Sequence, residues 1–203
     1  MKKIYLSLVT LFLFNYNFSQ TIKKDSLQSL LKIEYNVFGA GLNYEAPLAE
    51  KLTLDSGIGL TSGYTVINGI NYKINIVNPC LYLKSEIKYY YNFNNKINEF
   101  NKKSKKRFSK GYKGLTKGYN SGSYFAFQSK FTTDRLFDKD DKLSKIILNE
   151  IQWGVQRKLF KDFLFNFNIG IGHANDFTTK ENSFYVATGI RLSYILSKHK
   201  TSF

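Results

Sequence analysis

The stretch Phe163-Leu164-Phe165-Asn166-Phe167-Asn168-Ile169-Gly170-Ile171-Gly172 puts a large apolar residue at every second position and Leu, Asn or Gly between them. A period of two marks a β-strand whose faces meet different surroundings. In a soluble sandwich the apolar face is the core and the polar face meets water. In an outer-membrane barrel the faces swap: lipid meets the aromatics, and a narrow interior holds Gly, Asn and paired charges. The second arrangement suits a chain whose strands repeatedly present Gly and charge on one face. The expected fold is therefore all-β, an antiparallel up-and-down transmembrane β-barrel of eight strands.

The same alternation runs from Glu34 through Phe38, Ala40, Leu42 and Tyr44, and continues in Leu52, Leu54, Ile58 and Leu60 against Asp55, Gly57 and Gly59. It returns in Leu81, Leu83, Ile87, Tyr89 and Tyr91 against Tyr82, Lys84, Glu86 and Lys88. Later strands are expected at 121–132, 146–157, 162–172 and 184–196, each near the roughly 9 to 11 residues that cross a bilayer at a tilt. These make seven. Bacterial single-chain barrels have an even number of strands, so residues 66–77, which alternate through Ile70, Tyr72, Ile74 and Ile76, are taken as the eighth. That count makes the short turn Ala46-Pro47-Leu48-Ala49-Glu50 face outward, against the rule that short turns are periplasmic. Pro47 and Pro79 are both assigned to turns, because proline cannot donate to a sheet ladder.

The barrel is expected over 34–197, followed by a tail at 198–203. Ahead of it, residues 20–33 space Leu27, Leu30 and Leu31 at helical intervals and read as a short N-terminal helix or strap. Residues 1–19 have Lys2 and Lys3, an apolar run from Tyr5 to Phe14 and a polar end. That run is too short for a helix across a hydrocarbon core of ~30 Å, so it reads as a secretory signal peptide. The expected location is the outer membrane of a Gram-negative bacterium.

The single cysteine, Cys80, rules out an internal disulfide and shares the inward phase of Tyr82, so a buried free thiol is expected. The net charge is +15, and residues 94–120 alone hold nine Lys/Arg and one Glu. Basic charge confined to one connection of an exported chain does not indicate nucleic acid. This segment, with Lys102, Lys103, Lys105, Lys106 and Arg107, is expected on the periplasmic side. Anionic lipid headgroups or cell-wall polymer are its candidate contacts, since each basic residue near an anionic surface is worth about 1 kcal/mol.

Matching the phases of the strands aims Glu45, Asp55, Glu86 and Glu150 inward together with Lys84, Lys88, Lys130 and Arg191. Unpaired charges are costly in a narrow interior, so a balanced set implies mutual pairing that plugs the lumen. His199 is placed in the tail. His173, in Gly172-His173-Ala174-Asn175-Asp176, lies where a strand leaves for an outer loop, the position at which barrel lipases of the lipid A deacylase kind keep a histidine. Those enzymes place a serine two residues on. Here that position is Asn175, and the nearest serine, Ser183, follows the loop. His173 is thus a weak catalytic candidate, and no enzymatic role is expected. Asp138, Asp140 and Asp141 lack the glycine turn and distal Glu of a calcium loop. No metal site and no cofactor are expected.

Asn78-Pro79-Cys80-Leu81-Tyr82-Leu83-Lys84-Ser85-Glu86-Ile87-Lys88-Tyr89-Tyr90-Tyr91-Asn92 resembles the proline, Leu, Glu, basic residue and Tyr-Tyr-Asn pattern of small outer-membrane β-barrel proteins of the Bacteroidota type. Asn120-Ser121-Gly122-Ser123-Tyr124-Phe125 and Trp153-Gly154-Val155-Gln156-Arg157-Lys158 carry the same resemblance, which covers roughly residues 35–196. It implies the fold and is silent on activity. Gly189-Ile190-Arg191-Leu192-Ser193-Tyr194 resembles the terminal-strand signal read by barrel-assembly machinery, which would be a folding partner. The expected role is structural or interactive, in contact with outer-membrane lipid. The alternatives are a lipid-modifying barrel enzyme using His173, and a narrow channel or small-solute binder.

Overall fold

In the computed structural model, the described residues are 27–66, 70–73, 75, 77–92, 119–137 and 143–200. They form ten strands: β1 (Gln28–Asn36), β2 (Gly39–Ala49), β3 (Leu52–Thr61), β4 (Gly63–Val66), β5 (Ile70–Lys73), β6 (Cys80–Tyr90), β7 (Gly122–Arg135), β8 (Ile146–Lys158), β9 (Phe163–Asp176) and β10 (Asn182–Lys200). Eight of them close into an antiparallel barrel in the order β1-β10-β9-β8-β7-β6-β3-β2, and β4 pairs only with β5.

The eighth strand is therefore not where the sequence reading put it. Residues 28–33, assigned to the strap, belong to β1, which pairs with β10 on one side and β2 on the other. Leu30, Lys32 and Glu34 keep one inward phase, and the register shift opposite Leu31 and Lys32 puts its extra residue, Leu196, on β10. At the start of the strand Leu27 and Ser29 are buried as well as Leu30, which blurs the two-residue period there. Beyond it, Lys32 and Glu34 point inward between Ile33 and Tyr35. The continuous alternation from Glu34 also conceals the two-residue turn Val37-Phe38 between β1 and β2. Residues 66–77, expected as a barrel strand, contain the end of β4 and all of β5, which lie outside the ladder because β3 and β6 already pair directly from Leu52–Tyr89 to Thr61–Cys80.

Strand direction alternates around the barrel. The connections at 37–38, 62–79, 136–145 and 177–181 lie at one end, here the hairpin end. Both ends of the barrel chain and the connections at 50–51, 91–121 and 159–162 lie at the other, the terminal end. The short turn expected to face outward, now Glu50-Lys51, accordingly sits with the termini, and the two-residue turn Val37-Phe38 lies at the other end. Pro47 lies within β2 rather than in a turn, at a register shift between Pro47 and Ala49, where a missing N–H is tolerated. β10 runs to Lys200, so His199 is in a strand opposite Ser29 rather than in a tail. The segments 1–26 and 93–118 lie outside the described residues. These include the expected signal peptide and Lys102, Lys103, Lys105, Lys106 and Arg107, and Asp138, Asp140 and Asp141 also fall outside.

The faces divide as the alternation dictates. Asn166, Asn168 and Arg191 are buried inside, whereas Phe167, Ile169, Ile171 and Ile190 are exposed on the outer wall. Inward glycines leave room for inward tyrosines: a Cβ on Gly154 would meet the Tyr124 ring, one on Gly41 the Tyr82 hydroxyl, and one on Gly172 the Tyr185 ring. Interior volume is thus filled by alternating very small and very large side chains. At the hairpin end Tyr64 and Val66 of β4 drop onto Ile146, Leu148 and Ala174 of the opposite wall and cover part of the mouth. At the terminal end Leu27 packs with Tyr90, Tyr124 and Ala126.

Candidate functional site

The barrel interior has two tiers. In the tier nearer the terminal end, eight charged side chains form one network. Lys32 Nζ donates to Glu45 at 2.8 Å and to Asp55 at 2.7 Å, and Lys88 Nζ donates to Asp55 at 2.7 Å. Arg191 makes a two-pronged contact with Glu86, at 2.7 and 3.0 Å, and Lys84 reaches Glu34 at 2.7 Å. Longer contacts from Lys88 to Glu86, 3.8 Å, and from Arg191 to Glu34, 3.9 Å, join these three groups. Asn43, Thr53, Tyr90 and Gln156 add hydrogen bonds to the carboxylates. Four acids thus face four bases, all buried, the condition under which charge survives in a low-dielectric interior.

Of the residues predicted to line the interior, Glu45, Asp55, Lys84, Glu86, Lys88 and Arg191 lie in this network. Lys32 was missed because the strap assignment hid it, and Glu34 because the alternation was read straight through the turn at Val37-Phe38, which puts Glu34 in phase with Leu42. The Lys32-Ile33-Glu34-Tyr35 alternation was the available signal. Lys130 and Glu150 also face inward but belong to the second tier. There Lys130 Nζ donates to Tyr64 Oη at 3.0 Å and lies 4.7 Å from the Tyr82 ring centre. Glu150 accepts hydrogen bonds from Gln128, Gln152 and Tyr185. Among the described residues, neither forms an ion pair.

Between the two tiers lies a cavity of about 400 Å³. Its floor is Glu34, Lys84 and Arg191, its walls include Gln128, Lys130, Glu150 and Asn168, and Tyr64 of the hairpin contributes to its cover. One side is formed by Asn36, Val37 and Phe38 facing Thr188, Gly189 and Ile190. β1 stops pairing with β10 at Asn36–Arg191, while β10 continues to Asn182 with β9 alone as partner.

His173 lies on the outer face of β9, its ring 4.7 Å from that of Phe184 and its Nδ1 3.4 Å from Asn175 Nδ2. Ser183 pairs with Ala174, one position out of phase with the Phe184–His173 pair, so serine and histidine occupy opposite faces of the sheet. Cys80 is buried on the inner face of β6.

From the basic connection, Tyr119 and Asn120 are described. The Asn120 side chain accepts from Gln28 N at 2.8 Å and donates to Gln28 O at 2.9 Å, standing in for a strand partner. Its φ of 48° is one that Asn tolerates. Lys158 and Lys198 lie 4.6 and 4.5 Å from the Tyr119 ring centre. The strand directions put the ends of this connection, at Tyr91 and Ser121, at the terminal end. No protein-family profile, curated protein or solved structure matches the chain.

Proposed function

We propose that the protein is an integral outer-membrane β-barrel with a structural or interaction role, similar in kind to small barrels of the Bacteroidota type, made with a cleaved signal peptide and inserted by barrel-assembly machinery. The observation that carries this reading is the inversion of the faces. Arg191 and Glu86 are buried within the ring, while Val186, Ile171 and Ile151 are 69%, 66% and 62% exposed on its outer wall. In water such an outer surface would drive aggregation, whereas lipid solvates it. Aromatic contacts near the terminal end, Trp153 Nε1 to Tyr91 Oη at 3.0 Å and Phe163 to Tyr194 at 5.0 Å, fit an interfacial girdle. The ion-paired tier supports a plugged lumen without conductance. The separation of His173 from Ser183 supports a role other than lipid hydrolysis.

The terminal end would be periplasmic, with the basic connection presented to anionic headgroups or cell-wall polymer. The test is fractionation with gel mobility before and after boiling, together with planar-bilayer recording. Outer-membrane recovery, a boiling-dependent shift and no steady conductance are expected. Recovery as a soluble periplasmic protein overturns the membrane reading, and ohmic steps overturn the plug.

A further inference from the structure

The upper cavity reaches the barrel wall at a seam where the sheet is incomplete. β1 ends at Asn36, and from residue 190 to residue 182 the edge of β10 that faces away from β9 has no strand beside it among the described residues. The cavity reaches this gap, because Val37 and Phe38 line it on one side and Thr188, Gly189 and Ile190 on the other. Outward along the same stretch of β10 are Ile190, Val186 and Phe184, 51%, 69% and 80% exposed, and Val37 across the gap is 71% exposed. The opening therefore lies within the apolar belt, on the side that lipid would cover.

The chamber behind it carries donor capacity that the protein leaves unused. Lys130 has three N–H donors and, among the described residues, one hydrogen bond, to Tyr64, with no carboxylate in salt-bridge range. Lys84 and Arg191, held below by Glu34 and Glu86, add positive charge to the same lining, with Glu150 on its wall. Buried polar atoms normally find partners in protein or bound molecules. An anionic head fits the spare N–H donors of Lys130, and about 400 Å³ is within the usual range for a small-molecule site.

We propose that the seam is a lateral binding site for a single-chain membrane amphiphile with a phosphate head. The head enters the chamber toward Lys130, and the acyl chain leaves between Val37 and Ile190 to lie against the outer wall. This rests on the membrane reading above.

The test uses the full-length protein purified from membranes in detergent, delipidated, and shown folded by its boiling-dependent mobility. Native mass spectrometry then measures retention of lysophosphatidic acid, lysophosphatidylcholine and glycerol 3-phosphate. Stoichiometric retention of lysophosphatidic acid is expected, at least tenfold above lysophosphatidylcholine, with glycerol phosphate lost. Lys130→Gln should lower retention about tenfold, Lys130→Arg should restore it, and Thr188→Trp at the opening should lower it with the charge intact. Equal retention of both lysolipids, unchanged by Lys130→Gln, overturns the site in favour of annular lipid. Retention of glycerol phosphate as firm as that of the lysolipid makes it a soluble-anion site and overturns the lateral exit. A lipid-free dimer shows the β10 edge covered by a second copy and also overturns it. Failure of the membrane reading is separate, because it appears as absence from the outer membrane before any lipid is added.

Discussion

The lower and upper halves of the lumen are built from the same residue types and end in opposite states. Below, every charge meets an opposite one: Asp55 holds Lys32 and Lys88, and Glu86 holds Arg191. Above, Lys130 and Glu150 meet only neutral groups among the described residues, Tyr64 for one and two glutamines with Tyr185 for the other. The difference follows from strand length. In the lower half all eight strands are present and their inward side chains converge. In the upper half β1 and β2 have already turned back at Val37-Phe38, and the β4–β5 hairpin supplies part of the missing cover. A closed ring forces charges to pair, and an incomplete one leaves room.

This contrast is most directly broken at Asp55. Asp55→Ala leaves Lys32 and Lys88 sharing the remaining acids in a buried site, and a loss of about 3 to 5 kcal/mol is expected, read as a lower urea midpoint for the detergent-folded barrel. Next in size is the wall itself. Phe167→Arg should cost ~2 to 4 kcal/mol at mid-membrane, while Asn168→Arg, whose side chain enters the chamber, should cost less than half as much in the same assay. Equal losses would mean that the faces are reversed. Packing comes third: Gly154→Ala displaces the Tyr124 ring, which hydrogen-bonds Asn166 at 2.8 Å and receives Arg191 at 3.2 Å. A loss of about 1 to 3 kcal/mol is expected from overpacking. The smallest effect belongs to Glu150→Gln, about 1 kcal/mol for one weakened hydrogen bond. If it matches Asp55→Ala, the two tiers do not differ.

The wall was legible in the sequence because its signal is redundant. Phe163 to Gly172 alternates without interruption, and its partners on β8 and β10 alternate in phase with it. The inward direction of Glu45, Asp55, Lys84, Glu86, Lys88 and Arg191 followed from the same period. What failed was wherever the period itself was disturbed. Leu27, Leu30 and Leu31 disguised the start of β1 as a helix and removed Lys32 from view, and a turn of two residues merged β1 with β2 and put Glu34 in phase with the outward Leu42. Conversely, β5 alternates as well as a barrel strand does, because its hairpin also has two faces, and only the direct pairing of β3 with β6 excludes it from the ring. Alternation reports that a strand has two environments and says nothing about which sheet it joins.

The incomplete seam also bears on how the ring is made. Of the eight pairings that close it, seven join strands adjacent in the chain or separated only by the β4–β5 hairpin, while β1–β10 brings Gln28 to Lys200. Closure entropy grows slowly, about 0.6 kcal/mol per doubling of loop length, but contacts of long sequence separation slow folding. The seven local pairings are therefore set to zip first, leaving an open sheet with two free edges, and the 9-residue β1 is the short latch that closes it against the 19-residue β10. A short latch is quick to engage, which makes this joint the last step of assembly.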